Sequence, residues 1–481
     1  MDKVRLTRRA LVQAAGALSW MAALAACGAT PAPAATMAPL VEASEAPEAT
    51  AAPAETTAPA DAGEGPVTIR WYANADPTRN KWMTDVAMPD FLASHPNYKI
   101  EPIIVPWNDF DPKLSSMFAA GDLPEVWGNW GSTGYGEYAL RGMCIYQDEF
   151  IQRDAADLAM DDFPESAVEG VRIRGKITGL PLYILGTYTF YNKDLFDAVG
   201  LEYPPSDWDD ADWTWDAMLA TAKTLTQNYG DPNTGQYGVQ TGLAFEDIGW
   251  LWGEELWEPD ATTSSVAKVI HFEREGIINA WQQVADLICK HKVAPDAAIG
   301  QALSAAGDPF QAGKVAMNIS GGWGFWGLKE ASAEFKWGAG ALPRGKSPIK
   351  DALYADPMLI SSQTNLKEEA WQFVKYIDSV DGLRKFCVST WSPPSRQSLL
   401  PDWTGLWPEA LREGLEQSVK GSWKYGEVTP WNRIAGYSQF YDAINAEWGL
   451  VTTCEQQMAE VAPTIKSKVE EILAGMEFAA Q

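Results

Sequence analysis

An apolar stretch interrupted by one glycine in the middle of the chain constrains the fold more than any other feature. Residues 177–185 form a short apolar run, Gly186 interrupts it, and residues 188–191 resume it. Asn192 is then a residue type that caps helix N-termini, and Gly200 is the type that ends helices. The pattern predicts strand, break, strand and helix. We expect the chain to cross between two lobes at the break.

Upstream of this stretch, strand and helix patterns alternate. Val67–Tyr72, Tyr98–Val105 and Glu125–Trp127 have the composition of strands, and amphipathic helical segments separate them. Alternation of this kind is typical of a largely parallel sheet covered by helices. We therefore predict an α/β fold.

Polar and aromatic side chains follow the first and third of these strands. Asn74 and Asp76 come directly after the first strand, and Asn129 and Trp130 come after the third. In open α/β sheets, ligands bind outside the carboxyl ends of the strands. The sequence therefore predicts that these four residues belong to a binding site.

Tryptophan is unusually abundant, with 23 in the chain. Its side chain combines a flat apolar face with one N–H donor, which suits the apolar face of a sugar ring, although many indoles are simply packed in cores. Besides Trp130, the candidates for ligand contact are Trp250 and Trp252 in an acidic aromatic segment, Trp323 after a glycine pair, and Trp391 just before two prolines.

The charge and the missing motifs exclude several classes of function. A net charge of −27 opposes binding to phosphate backbones, so we predict no nucleic-acid partner. The chain has no Gly-x-Ser-x-Gly motif, no phosphate-binding loop and no dinucleotide fingerprint. Its three histidines lack the spacing of metal ligands. We predict a protein that is not an enzyme and that uses no cofactor and no metal.

The first 66 residues differ in composition from the rest. Arg8 and Arg9 precede an apolar stretch, which indicates an export signal over residues 1–26 rather than a membrane span. Residues 27–66 are almost entirely Ala, Pro, Glu and Thr, and we expect them to form a disordered tether. The sequence thus predicts an exported protein whose folded body follows the tether.

Four cysteines lie in the predicted folded body, at Cys144, Cys289, Cys387 and Cys454. Four cysteines allow three complete pairings, and export permits disulfides. The wide spacing favours none of these pairings, and buried free thiols are equally compatible with the sequence.

Several short segments occur in one order along residues 67–400. They are Met117–Val126, Gly179–Pro181, Tyr191–Phe196, Phe310–Gly322, Gly338–Gly345 and the helical pattern at Asn365–Ile377. Together they resemble the extracellular solute-binding proteins of ABC importers, family 1, the sugar-binding group that includes maltose-binding protein. Leu24–Cys27 is similar to the lipobox of bacterial lipoproteins, which implies that Cys27 carries the lipid.

The resemblance implies the two-lobed periplasmic-binding-protein fold of type II, with a mainly parallel sheet flanked by helices in each lobe and a ligand cleft between the lobes. Crossings are then expected near residues 184–187, 350–360 and 391–397. The first lobe would comprise residues 67–184 with about 350–390. The second would comprise residues 185–349 with about 391–481.

The resemblance also implies which residues contact the ligand. The expected residues are Asn74, Asp76, Asn129 and Trp130 from one lobe, Trp323 and Tyr437 from the other, and Tyr183 at the lip of the cleft. Independently of the resemblance, we take Asp356 as a further candidate for ligand contact rather than a solvated charge. At one position the chain departs from the family pattern, because Leu185 stands where a sugar-contacting carboxylate is expected.

The implied function is the capture of a mono- or oligosaccharide and its delivery to the transmembrane subunits of an ABC permease. The protein would be a monomer, held by its lipid anchor at the outer face of the cell membrane, or periplasmic. Two alternatives remain open. A secreted glycosidase would need two carboxylates flanking the scissile bond, and a binding protein for a polyamine or a peptide would also suit an acidic, aromatic site.

Overall fold

The folded body begins with a strand at Val67–Asn74, where the sequence predicts one. The computed structural model describes residues 65–231, 233–259, 261–305, 307–331, 335–346 and 349–476. The predicted export signal over residues 1–26, Cys27 and the tether up to residue 64 lie outside the described residues.

Twelve strands are present in the described residues, and we number them in chain order. They are β1 (Val67–Asn74), β2 (Tyr98–Val105), β3 (Val126–Gly128), β4 (Arg172–Ile173), β5 (Lys176–Ile177), β6 (Pro181–Leu185), β7 (Thr187–Asn192), β8 (Tyr237–Thr241), β9 (Val315–Gly321), β10 (Trp337–Gly340), β11 (Asp351–Ile360) and β12 (Gly426–Val428).

Helices connect and cover these strands. The α-helices are Pro77–Trp82, Met88–Ser94, Phe110–Ala119, Tyr135–Leu140, Asp148–Arg153, Ala155–Leu158, Glu165–Gly170, Lys193–Val199, Trp215–Leu225, Phe245–Trp250, Ala261–Ser264, Glu275–Cys289, Ala297–Ser304, Gly324–Ala331, Lys367–Asp378, Val380–Thr390, Leu400–Thr404, Glu409–Tyr425, Pro430–Arg433, Tyr437–Thr452 and Met458–Ala474. A π-helical turn at Met83–Ala87 joins the first two, and single 3-10 turns occur at Trp107–Asp109, Met160–Asp162 and Gln397–Leu399.

Two larger sheets organise the molecule and confirm the predicted two-lobed α/β fold. The first has the order β12-β11-β3-β1-β2, and β6 also pairs with β11. Its pairs β1–β2, β1–β3 and β11–β12 are parallel, whereas β11 runs antiparallel to β3 and β6. The second sheet has the order β10-β7-β9-β8.

The expectation of mainly parallel pairing is wrong for the second sheet. Only its β8–β9 pair is parallel, while β7 is antiparallel to both β9 and β10. A parallel pair needs a crossover connection, and β8 and β9 have one in the helices between them, whereas β7 enters this sheet directly from the first sheet.

That entry takes place at Gly186, inside the stretch where the sequence predicts the first crossing. A Cβ at Gly186 would lie 1.7 Å from the Ser422 hydroxyl and 2.6 Å from a carboxylate oxygen of Asp351, so the close packing leaves no room for a side chain. After β7, Asn192 caps helix Lys193–Val199 through its side chain, and Gly200 ends it with a φ of 70°. Both helix ends agree with the prediction.

The chain passes between the two sheets at two further places. The chain returns from β10 in the second sheet to β11 in the first. It crosses again after helix Val380–Thr390, because the core around the first sheet includes Phe386 and Cys387, whereas the core around the second includes Leu400 and Trp403. The apolar interior is therefore divided into two cores, one for each larger sheet.

The structure resolves the alternatives that the sequence left open for the cysteines. Cys289 and Cys454 form a disulfide, and Cys144 and Cys387 are buried free thiols. Burial raises the pKa of the Cys144 thiol to about 12, which opposes formation of the thiolate.

Candidate functional site

A cavity of about 560 Å³ lies between the two sheets, where the carboxyl ends of five strands open onto it. The residues that follow β1, β2 and β3 line one side, and the residues that follow β8 and β9 line the other. This is the placement expected for a ligand site in an α/β fold. The volume lies within the usual range for small-molecule sites, about 300–1,000 Å³.

The structure brings most of the predicted site residues together around this cavity. Those that line it are Asn74, Asp76, Asn129, Trp130, Tyr183, Trp323, Asp356 and Tyr437. They come from both lobes and from the strand that returns between them. Their assembly depends on pairing between segments several hundred residues apart in sequence.

Three predicted tryptophans lie away from the cavity. Trp250 is buried and donates its indole N–H to Glu255 at 2.8 Å. The Lys350 ammonium lies over its ring, 4.1 Å from the ring centroid. Trp252 packs edge-on against the ring of Trp215. These indoles therefore serve packing in the second lobe, and their prediction as ligand contacts is corrected.

Trp391 is also outside the cavity, for a different reason. It ends helix Val380–Thr390 with a φ of 61°, and this left-handed turn directs its ring toward Trp407, 4.9 Å away. Its backbone carbonyl accepts from the Trp403 indole at 2.9 Å. Trp391 thus packs into the core beside the third crossing.

Several lining residues were not predicted. They are Arg79, Trp107, Gly131, the segment 242–245, Trp326, Tyr354, Trp431, Asn432 and Tyr441. Trp107 could have been found, because it follows β2 as Asn129 follows β3. Tyr354 lies two residues before Asp356 on β11, so strand alternation places both on one face. No local signal identifies Trp431 or Asn432.

A chain of polar side chains forms one wall of the cavity. Asp356 accepts a hydrogen bond from the Tyr183 hydroxyl, and its other oxygen accepts from the Asn129 amide at 3.4 Å. The same Asn129 Nδ2 donates to Asn432 Oδ1 at 3.2 Å. Burial raises the pKa of Asp356, and burial also raises the pKa of Tyr183 well above its usual value.

A second polar group is fixed at the end of β1. The Asn74 amide donates to the Trp130 carbonyl at 2.9 Å and accepts from Arg79 Nη1 at 3.0 Å. Asp76 caps helix Pro77–Trp82 by accepting from the Arg79 backbone N–H at 2.6 Å. The cap sets the direction of the helix, so Arg79 returns toward the strand end.

Two indoles at strand ends are placed in the same way, each over a glycine that ends the strand. β3 ends at Gly128 and β9 ends at Gly321, and a tryptophan follows two residues later in each case. A Cβ at Gly128 would lie 2.3 Å from the ring of Trp130, and one at Gly321 would lie 2.2 Å from the ring of Trp323. Each ring therefore lies over a glycine.

The Trp323 ring is also one of the more exposed aromatic surfaces of the cavity. Its side chain is 39% exposed, and its ring centroid is 5.1 Å from that of Tyr354 in an edge-on arrangement. Trp107 on the opposite side is 52% exposed. Exposed apolar rings within a cavity are available to the apolar face of a ligand.

A second aromatic group lines the cavity beside helix Tyr437–Thr452. The ring of Trp431 stacks on Tyr437 at 5.7 Å, and Tyr441 stacks on Phe245 at 5.0 Å. The Tyr437 hydroxyl donates to the buried carboxylate of Glu246 at 2.6 Å, which fixes the ring. Burial raises the pKa of Glu246.

Leu185 lines the cavity at the residue just before the Gly186 crossing. Its side chain is packed against Gly322, where a Cβ would lie 3.2 Å from it. The wall at this point is apolar, so the carboxylate expected there from the family pattern has no counterpart at this position.

Within the described parts of the chain, no group of three or more metal-ligating side chains could hold an ion. Among the same residues, no helix is both long and apolar enough to cross a membrane.

Comparison with known proteins places these features in context. The family model described as bacterial extracellular solute-binding protein matches residues 87–409. A protein of Brucella abortus named as a binding protein is 25% identical over 331 residues, which is 68% of this chain and 74% of the relative. A lipoprotein of Streptomyces antibioticus, itself uncharacterised, is 24% identical and covers 81% of this chain and 88% of its own length.

Solved structures share the fold. An ABC substrate-binding protein of Listeria monocytogenes in complex with cycloalternan aligns with a TM-score of 0.70 at 21% identity, covering 85% of this chain and 99% of its own. An ABC transporter solute-binding protein of Agrobacterium radiobacter in complex with ribitol aligns with a TM-score of 0.69 at 20% identity. The alignment covers 85% of this chain and 99% of that protein's chain.

Proposed function

Because this chain belongs to the family of bacterial extracellular solute-binding proteins, we propose that it captures a carbohydrate between its two lobes and delivers it to the permease of an ABC importer. The observation that carries the proposal is the cavity itself. It combines exposed aromatic rings, at Trp107 and Trp323, with fixed amide and carboxylate groups at strand ends.

The chemistry of a sugar matches these two kinds of group. Each pyranose ring has a face of C–H groups that packs on an aromatic ring, and hydroxyls at its edge that need both donors and acceptors. In a cleft closed to water, each such hydrogen bond is electrostatically stronger than in solution. The strand-end residues Asn74, Asp76 and Asn129 supply the polar contacts in this proposal.

Delivery requires that the protein binds without transforming the ligand. The lining carboxylates are Asp76 and Asp356, and both oxygens of Asp356 already accept from Tyr183 and Asn129. These two hydrogen bonds fix the Asp356 carboxyl group against the cavity wall.

The remaining parts of the proposal concern location and assembly. We propose export, lipidation at Cys27 and attachment to the outer face of the cell membrane, with the protein acting as a monomer and docking on permease transmembrane subunits. The lipobox-like Leu24–Cys27 supports the anchor, and the relative from Streptomyces antibioticus is a lipoprotein.

Isothermal titration calorimetry with maltose, mannotriose, mannitol, ribitol and tagatose tests the function. We expect at least one probe to bind, and to raise the melting temperature by mass action, while chromatography shows that the bound probe is recovered intact. Conversion of an oligosaccharide to smaller sugars would overturn the transport proposal in favour of a glycosidase. Binding of spermidine alone would favour a polyamine-binding protein.

A further inference from the structure

Arg79 is a cavity-lining cation whose position is fixed by the protein. Its side chain is only 8% exposed, and its guanidinium carbon lies 4.4 Å above the ring of Trp130. One N–H donates to Asn74 at 3.0 Å. The stacking and the hydrogen bond hold the guanidinium plane in one orientation at the cavity wall.

Most of the hydrogen-bonding capacity of Arg79 is unused within the described part of the protein. A guanidinium has five N–H donors, and among the described residues the side chain makes one hydrogen bond, to Asn74. None of the ion pairs among the described residues includes Arg79. Because Arg79 lines the cavity, its remaining N–H groups are available to acceptors there.

Asn129, next to Trp130 in sequence, has the opposite feature, a hydrogen-bond acceptor without a donor. Its Nδ2 donates to Asp356 and to Asn432, which fixes the orientation of the amide. Its Oδ1 is buried and has no hydrogen-bond partner among the residues that the structure describes. A buried acceptor without a donor is rare in folded proteins and points to a missing ligand or water. The same wall therefore offers free donors and a free acceptor.

The charges around this wall restrict the ligand. The acidic and basic side chains that line the cavity are Asp76, Asp356 and Arg79. A ligand carboxylate would be repelled by the two acidic side chains as well as attracted by the guanidinium, and a ligand ammonium would be repelled by the guanidinium as well as attracted by the acids. A neutral pair of adjacent hydroxyls avoids both costs, since one hydroxyl accepts from Arg79 while the other donates to Asn129.

From these contacts we infer that the site selects a neutral carbohydrate or polyol through a vicinal diol held by Arg79 and Asn129, and that Arg79 is the residue that determines this specificity. The inference rests on the proposed function and adds the charge class of the ligand and the group that is recognised.

Calorimetry on the wild-type protein tests the charge class. The neutral probes maltose, mannitol and ribitol are compared with glucuronate, glucosamine and spermidine. We expect the tightest binding from a neutral probe. Tighter binding of glucuronate or glucosamine would overturn the inference and leave carbohydrate binding intact. Binding of spermidine with no carbohydrate bound would overturn the proposed function and this inference together.

Arg79→Met tests the residue, because methionine keeps the apolar stem and removes every donor. We expect at least a tenfold weaker affinity for the tightest neutral probe, with a partial loss in Arg79→Lys. Arg274→Met is the matched control on the exposed surface and should leave the affinity unchanged. Unchanged affinity in Arg79→Met would overturn the assignment.

A ligand variant keeps the test independent of folding. The deoxy analogue of the same probe, lacking one hydroxyl of the pair, should bind the wild type at least tenfold more weakly. Arg79→Met should distinguish the two probes less than the wild type does. Equal discrimination in both proteins would show that the hydroxyl is recognised elsewhere.

Discussion

The buried carboxylates of Asp247 and Asp351 are joined through one residue of the first crossing. The hydroxyl of Thr187 donates to Asp247 at 3.0 Å, and its backbone N–H donates to Asp351 at 2.9 Å. Asp247 also accepts from the Ala352 backbone at 2.8 Å, and Asp351 accepts from the Ser422 hydroxyl at 2.6 Å. Two segments that pass between the lobes are thus tied together by an acidic pair whose donors are all neutral.

This pair predicts a dependence of stability on pH. Burial raises the pKa of Asp247 to about 7, and burial together with the charge of Asp247 raises that of Asp351. An unfolded aspartate titrates near pH 4, so between about pH 4 and 7 the folded protein binds more protons than the unfolded chain. The free energy of unfolding should therefore fall as the pH rises through this window.

Asp351→Asn isolates the contribution of the pair from that of other buried acids. The asparagine side chain can still accept from Thr187, but it carries no charge. We therefore expect the free energy of unfolding to fall less between pH 5 and 8 than in the wild type. The expected difference is about 1–2 kcal/mol, since one pKa unit corresponds to about 1.4 kcal/mol. Urea unfolding at both pH values measures this. Identical pH profiles would show that the pair holds no extra proton.

Trp323→Ala should weaken ligand binding while leaving the fold intact. The ring is 39% exposed in the cavity, so its removal takes away a stacking surface and little core. We expect at least a tenfold weaker affinity for the bound probe, measured by calorimetry. Trp252→Ala is the matched control, because that ring packs on Trp215 outside the cavity. An unchanged affinity in Trp323→Ala would remove this ring from the site.

Gly321→Ala should act on the same ring without touching the cavity. The added Cβ would lie 2.2 Å from the Trp323 ring, so the indole must move. We expect weaker ligand binding and a shift in tryptophan fluorescence. In the background of Trp323→Ala, the glycine substitution should have no further effect on affinity. An additive loss in the double variant would contradict this mechanism.

Removing the disulfide should destabilise the protein without changing ligand affinity. Cys289 and Cys454 are 165 residues apart in sequence and lie outside the cavity. The double variant Cys289→Ser/Cys454→Ser frees a long loop in the unfolded state, and the typical cost is about 2–4 kcal/mol. Urea unfolding measures the loss. Wild-type stability in the double variant would show that the link is dispensable.

Features that depend on neighbours in sequence could be predicted from the chain alone. The break at Gly186, the cap at Asn192 and the helix end at Gly200 are local, because each depends on the conformational range or hydrogen bonding of a few adjacent residues. The same holds for Asn74 and Asn129, since a strand pattern determines where a strand ends and α/β sheets bind ligands there.

Features that depend on distant segments were decided only by the tertiary structure. Trp250, Trp252 and Trp323 are the same residue type and each has glycine and aromatic residues near it in sequence, yet of these three only Trp323 lines the cavity. The antiparallel second sheet and the pairing of Cys289 with Cys454 depend equally on the route of the whole chain. The physical reason is that residue type determines which groups a side chain can bind, whereas packing against distant segments determines which groups it contacts in the folded protein.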